Sequence, residues 1–189
     1  MKKLILIICF LIVNQSQVFA NEIAEKCTSK HCFPVKTTIS DDVELELVGI
    51  ALFRYTIFNV YSLALYAESS QMTSDQVLKD TPRKLVFAYH RSITADQMIE
   101  GARENLIDNP NIDITKFEKE LSEINALYSD VNEDDIYELS YIPNVGTSLA
   151  NKEKILGTIA GADFSSIYFG IWLSDYPLSS SIKNQIFGK

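Results

Sequence analysis

The order of periodic segments predicts an α+β fold, an antiparallel β-sheet packed against a layer of α-helices in an open-faced sandwich. Three observations lead there. VELELVGIAL (residues 43–52) alternates apolar and acidic positions with the two-residue period of a strand buried on one face. Strand-like runs fall in two blocks, before and after a pair of helical segments, without the strand–helix–strand alternation of a parallel sheet. No repeat, low-complexity tract or Gly/Pro/Ser-rich linker divides the chain, so one domain is expected over residues 43–189.

The elements follow in order. FNVYSLALYAE (58–68) is a second strand, which makes 53–57 the expected hairpin connection. A short helical piece at 73–80 leads into a third strand, RKLVFAYHR (83–91). The helix in SITADQMIEGARENLIDNP is the best marked. Thr94 stands at the cap, Gln97 at the capping-box position, Ile93 and Met98 form a hydrophobic staple, and Asn109-Pro110 stops it. A second helix runs over 115–128, with Phe117, Leu121, Ile124 and Tyr128 on one stripe. The acidic run 130–135 reads as a solvated loop. Strands at 136–142, 147–151 and 155–161 precede a buried helix at 163–173 and a closing one at 179–187.

Ahead of this domain, MKKLILIICFLIVNQSQVFA carries two lysines, an apolar run from Leu4 to Val13 and a small-residue end at Ala20. That is the pattern of a secretory signal peptide over residues 1–20, and its apolar run is short for a membrane span. The expected location is therefore outside the cytoplasm, in the periplasm, with no stable membrane anchor after cleavage. Residues 21–42 read as an irregular N-terminal arm. Cys27 and Cys32 lie in it as CTSKHC, an even pair in an exported chain, which reads first as a disulfide. A metal site with His31, or free thiols, are the alternatives; the only other histidine is His90, which reads as a half-exposed strand residue. No metal and no cofactor are expected.

The whole chain has 17 basic and 25 acidic residues, net −8; loss of residues 1–20 removes Lys2 and Lys3 and gives −10. Such a balance disfavours nucleic acid and anionic headgroups as partners. No G-x-S-x-G, H-E-x-x-H or phosphate-loop motif occurs. One residue stands out. Arg54 is the single charge within GIALFRYTIFNVYSLALY (49–66), and a guanidinium taken out of water needs an anion or many acceptors. It reads either as a ligand-binding residue or as half of a structural ion pair with Asp163 or Glu68.

At this point the chain resembles the chalcone isomerase-like family, in particular its exported bacterial members. Three stretches in register carry the resemblance: Gly-x-Ala-x-x-Arg leading into F-x-V-Y-x-x-A-L-Y (Gly49 to Tyr66), VGTSLANKEKILGTIAGADFSSIYFGIWLSDYPLS, and the final SIKNQIFG. Ser174 departs from the glycine usual after Trp-Leu. The resemblance implies a sheet backed by helices with a cleft between them, and one of three roles: an isomerase (intramolecular lyase) acting on a chalcone or other enone, a fatty-acid binder, or a non-catalytic protein acting through a protein partner. It also implies that Arg54 receives the substrate oxygens or the carboxylate, joined by Tyr61.

The isomerases add a Tyr and an Asn on the helix after the third strand. Here that helix has no Tyr, and its comparable residues are Gln97 and either Arg103 or Glu104. The expectation is accordingly a non-catalytic binder of a fatty acid or similar apolar carboxylate, held in the sheet–helix cleft. Arg54 and Tyr61 would sit at the head group, Gln97 would face the cleft, and Tyr168 and Trp172, near Phe169, would line the pocket. The isomerase is the alternative, with Arg54 and Tyr61 as its catalytic candidates.

Overall fold

The computed structural model describes residues 24–39, 43–152 and 154–188; the signal peptide expected at 1–20 lies outside them. Alternation in 43–52 extends into a long strand, β4 (Val43–Tyr55), which turns back as β5 (Phe58–Ala67). Added to them are β3 (Lys36–Ile39), β6 (Arg83–Tyr89), β7 (Ile136–Ile142), β8 (Gly146–Asn151) and β9 (Lys154–Ile159). These seven strands form one sheet in chain order, and every neighbouring pair is antiparallel. A separate hairpin pairs β1 (Glu25–Thr28) with β2 (His31–Pro34).

The helices occupy one face. They are α1 (Ser74–Val77), α2 (Ala95–Asp108), α3 (Glu118–Asn125), α4 (Ala162–Leu173) and α5 (Ser180–Phe187), with a 3-10 turn at Ile114–Phe117 leading into α3. Thr94 caps α2 as its sequence signals: its hydroxyl accepts from Gln97 N–H and the Gln97 side chain accepts from Thr94 N–H. Leu63, Leu85 and Leu139 from the sheet meet Phe169 and Ile171 of α4 and Ile186 of α5 in the main core. α4 is buried nearly all round, which explains why its sequence shows almost no polar face.

The opposite face holds a smaller core of Phe33, Leu45, Leu47, Ala64, Tyr66 and Ala88. The β1–β2 hairpin covers it, with Tyr66 donating to Pro34 O at 2.9 Å and Ser62 to Thr28 O at 3.2 Å. The arm is therefore not irregular as expected: it supplies a hairpin and the edge strand β3. Its strands are only four residues long and show no alternation, so their order comes from pairing and from Phe33 rather than from local pattern. Cys27 and Cys32 stand directly opposite each other in that hairpin and form a disulfide.

The edge of β4 beyond β3 is closed by α5. A Cβ on Gly49 would lie 1.9 Å from Ile186 O, so only glycine lets the helix backbone this close. Further along, the Gln185 side chain takes the place of a missing strand: its Oε1 accepts from Leu52 N–H at 3.0 Å and its Nε2 donates to Leu52 O at 3.4 Å.

Candidate functional site

Two bulges in the β4–β5 ladder decide which side chains meet. Leu45 and Leu47 face the hairpin-side core, but a register shift between Leu47 and Gly49 turns Ala51 and Phe53 toward the helix layer. Phe53 then stands opposite Tyr61, with ring centroids 5.0 Å apart. After a second shift Arg54 stands opposite Asn59, to which its Nε donates at 3.1 Å. Since consecutive residues of a strand point to opposite faces, Arg54 and Tyr61 are separated by the sheet. The residue beside Tyr61 is Phe53.

Arg54 is exposed and lines a cleft of about 460 Å³ at the sheet edge, with Leu52, Thr28 and Ser29 of the first hairpin, Ser179 at the cap of α5, and Ser181 and Gln185 within it. Neither Asp163 nor Glu68 forms with it the ion pair that is the alternative reading of Arg54. Among the described residues no carboxylate lies within 4.0 Å of its guanidinium. The Ser179 hydroxyl is spent on the cap of α5, where it accepts from Ile182 N–H at 3.3 Å. The Gln185 amide is held by Leu52 O, Ser181 O and Ser181 Oγ, so the guanidinium and the Ser181 hydroxyl are the donors a carboxylate finds here.

The guanidinium that sequence reasoning should have weighed is Arg83. It is fully buried, clasped by Val77 O, Lys79 O and Thr81 O on one nitrogen and by Ser165 Oγ on the other, between the rings of Tyr141 and Phe169 at 4.5 and 4.7 Å. Burial lowers its pKa to about 10. Carbonyls around the end of α1 thus do the work of an anion. Nothing in its place at the start of a strand marks it as buried.

Tyr61 lies under α4, where Trp172 Nε1 donates to its hydroxyl at 3.1 Å; burial holds the phenol well above its usual range. Phe87 packs on both partners, 5.5 Å from Tyr61 and 4.9 Å from Trp172. Tyr168 is buried further along α4, its hydroxyl 2.9 Å from that of Tyr128, whose pKa is pushed up to about 12 by burial. Tyr61, Tyr168 and Trp172 thus belong to one aromatic layer, and Phe169 turns to Arg83 instead. Gln97 is exposed and engaged in the α2 cap, and Arg103 pairs with Glu118 across two exposed helices. Neither Gln97 nor Arg103 joins Tyr61 or Arg54.

A second cleft of about 460 Å³ adjoins the first through Ser29 and is lined by Lys30, Phe58, Asn59, His90, Arg91 and Glu133. Both histidines of the chain meet beside it, with ring centroids 4.7 Å apart, and His90 Nε2 lies 2.8 Å from Ser62 Oγ. No group of three or more His, Cys, Asp or Glu suited to a metal ion occurs among the described residues.

A single antiparallel seven-stranded sheet, helices on one face and α5 along the edge define the chalcone isomerase fold. The sequence pattern of the family described as chalcone isomerase-like matches residues 28–188, and the chain belongs to that family. No curated protein sequence matches the chain significantly. Among solved structures it is similar to the crystal structure of an Arabidopsis thaliana fatty-acid binding protein, with a TM-score of 0.65 at 12% identity over 87% of this chain and 96% of that one. At that identity the likeness is one of fold.

Proposed function

We propose that this chain is a non-catalytic binding protein for a fatty acid or a similar apolar carboxylate, with the carboxylate at Arg54. The carrying observation is the Arg54 cleft, where a guanidinium without an acidic partner within 4.0 Å among the described residues stands beside the Ser181 hydroxyl and apolar Leu52. A planar fork of donors matches a carboxylate, and the start of α5 adds a favourable dipole. The fold likeness to a plant fatty-acid binding protein supports the class of ligand.

The layer of Tyr61, Phe87 and Trp172 lies on the other face of the sheet from Arg54, so an aliphatic tail would reach it only by rounding the sheet at Phe53. Phe53 is only partly buried, and its ring is the side chain that moves to admit the tail. Each methylene withdrawn from water contributes about 0.8 kcal/mol, which offsets the cost of displacing one ring. The polar groups a substrate would need for turnover are engaged elsewhere, Gln97 in its helix cap and Tyr61 with Trp172, which favours binding over the intramolecular-lyase alternative. Export to the periplasm after removal of residues 1–20 belongs to the same reading, and a disulfide in the arm suits an oxidising compartment.

The test is solvent extraction and mass spectrometry of the purified protein beside Arg54→Ala. Arg54 is exposed, so its removal leaves the fold intact. A fatty acid at near-stoichiometric amount, depleted in the variant, is expected. A wild-type protein that carries none and takes up none when it is added overturns the reading.

A further inference from the structure

The tip of the β4–β5 hairpin exposes three large apolar side chains in four residues: Tyr55 at 70%, Ile57 at 85% and Phe58 at 53%. Folding does not ask for them. Tyr55 pairs with Phe58, so Thr56 and Ile57 form a two-residue turn, and Thr56 sits at φ 55°. Asn and Gly are the residues that such a turn selects, and a β-branched residue at positive φ is strained. The tip gives up local stability to display apolar surface.

Two guanidinium groups flank it. Arg54 precedes the tip, and Arg91 lies over the Phe58 ring at 5.0 Å. Among the described residues neither forms an ion pair within 4.0 Å. Most of the acidic charge at this end of the sheet is offset: Glu133 and Asp134 share Lys30, Asp135 holds Lys152 at 2.9 Å, and the one carboxylate in excess is outnumbered by the two arginines. An acidic molecule thus presents a locally cationic, apolar point.

We infer that the 55–58 tip is a membrane-contact finger that inserts Ile57 and the rings of Tyr55 and Phe58 into the interfacial region of a lipid bilayer while Arg91 meets a lipid phosphate. A bilayer fits better than a protein surface. A stable protein interface buries about 800 Å² on each partner, more than three side chains on one turn offer, whereas a bilayer accepts a narrow projecting point. An aromatic pair around an aliphatic apex with flanking arginines is the chemistry of the interface itself. The inference stands on the tip alone and does not rest on the carboxylate reading; empty vesicles suffice to test it.

The experiment is vesicle flotation of the full chain expressed in a host that processes its N-terminus, the mass of the product verifying that the apolar residues 4–13 are gone. Vesicles of phosphatidylcholine alone and of phosphatidylcholine with phosphatidylglycerol are compared. Wild type floats with both, Ile57→Asp loses about tenfold in partitioning with an unchanged melting temperature, and Arg91→Gln weakens binding on both, more so on the anionic vesicles. Wild type that floats with neither composition, or Ile57→Asp that floats as well as wild type, overturns the inference. So does self-association in sedimentation that Ile57→Asp abolishes, since the tip would then serve a second copy of the chain.

Discussion

At the scale of single residues, two features of the β4–β5 region carry consequences for stability and affinity. Thr56 holds a left-handed conformation that costs an L-residue about 1–2 kcal/mol, so Thr56→Asn should gain about 1 kcal/mol and raise the melting temperature by roughly 2–4 °C. Phe53 packs on Tyr61, and if the proposed acyl tail enters there, Phe53→Ala should tighten fatty-acid binding while lowering stability; calorimetric titration beside a thermal melt separates the two. His90 supplies the pH dependence. Its pKa lies below the ordinary 6.5, first through desolvation and then through His31 and Lys30, which outweigh Asp134 and Glu133. The unfolded chain therefore takes up the proton more readily than the folded one. The stability that neutral His90 contributes is complete above about pH 6.5 and is lost as the pH falls through that value toward the lower folded pKa. Urea midpoints between about pH 7.5 and pH 5 should fall more steeply for wild type than for His90→Gln, which keeps a partner for Ser62.

Elements dock here through a few close contacts. Gly49→Ala places a methyl where Ile186 O already stands, and α5 must leave the edge of β4. The expected loss is about 3 kcal/mol, or roughly 6–12 °C in the melt, together with disruption of the Gln185–Leu52 pairing and of the Arg54 cleft. The disulfide closes a loop of a few residues, so Cys27→Ser with Cys32→Ser should cost about 2 kcal/mol, read as a lower urea midpoint. Much of this architecture was legible. Alternation in 43–52, the Thr94–Gln97 cap and the order of strands gave the α+β class, the helix layer and most boundaries. The arm was not legible, because HCFP and KTTI carry no periodic signal and become strands only through distant partners. Nor was the facing of Arg54. Two bulges shift the parity of β4 against β5, and a bulge is set by packing across strands, which no local pattern reports. Hence Phe53 meets Tyr61. Gln185 and Ser181 also escaped notice, since a polar residue on a short amphipathic helix reads as surface until the helix is seen to lie along an open strand edge.

For the molecule as a whole, the structure separates two cation sites that the sequence merges into one question. Arg83 is the buried guanidinium, its charge satisfied by backbone carbonyls, the Ser165 hydroxyl and two rings, and it joins α1, the sheet and α4. Arg54 is exposed and pairs only with a neutral amide among the described residues. One therefore belongs to the fold and the other is available for a ligand, at the same end of the sheet as the apolar 55–58 tip. The most direct measurement is calorimetric titration of the protein with dodecanoate and with its methyl ester. If Arg54 receives a carboxylate, the acid binds at least about tenfold tighter than the ester, and Arg54→Gln brings the two together without unfolding the protein. Equal affinity of wild type for acid and ester, or an unchanged preference in Arg54→Gln, would contradict the account.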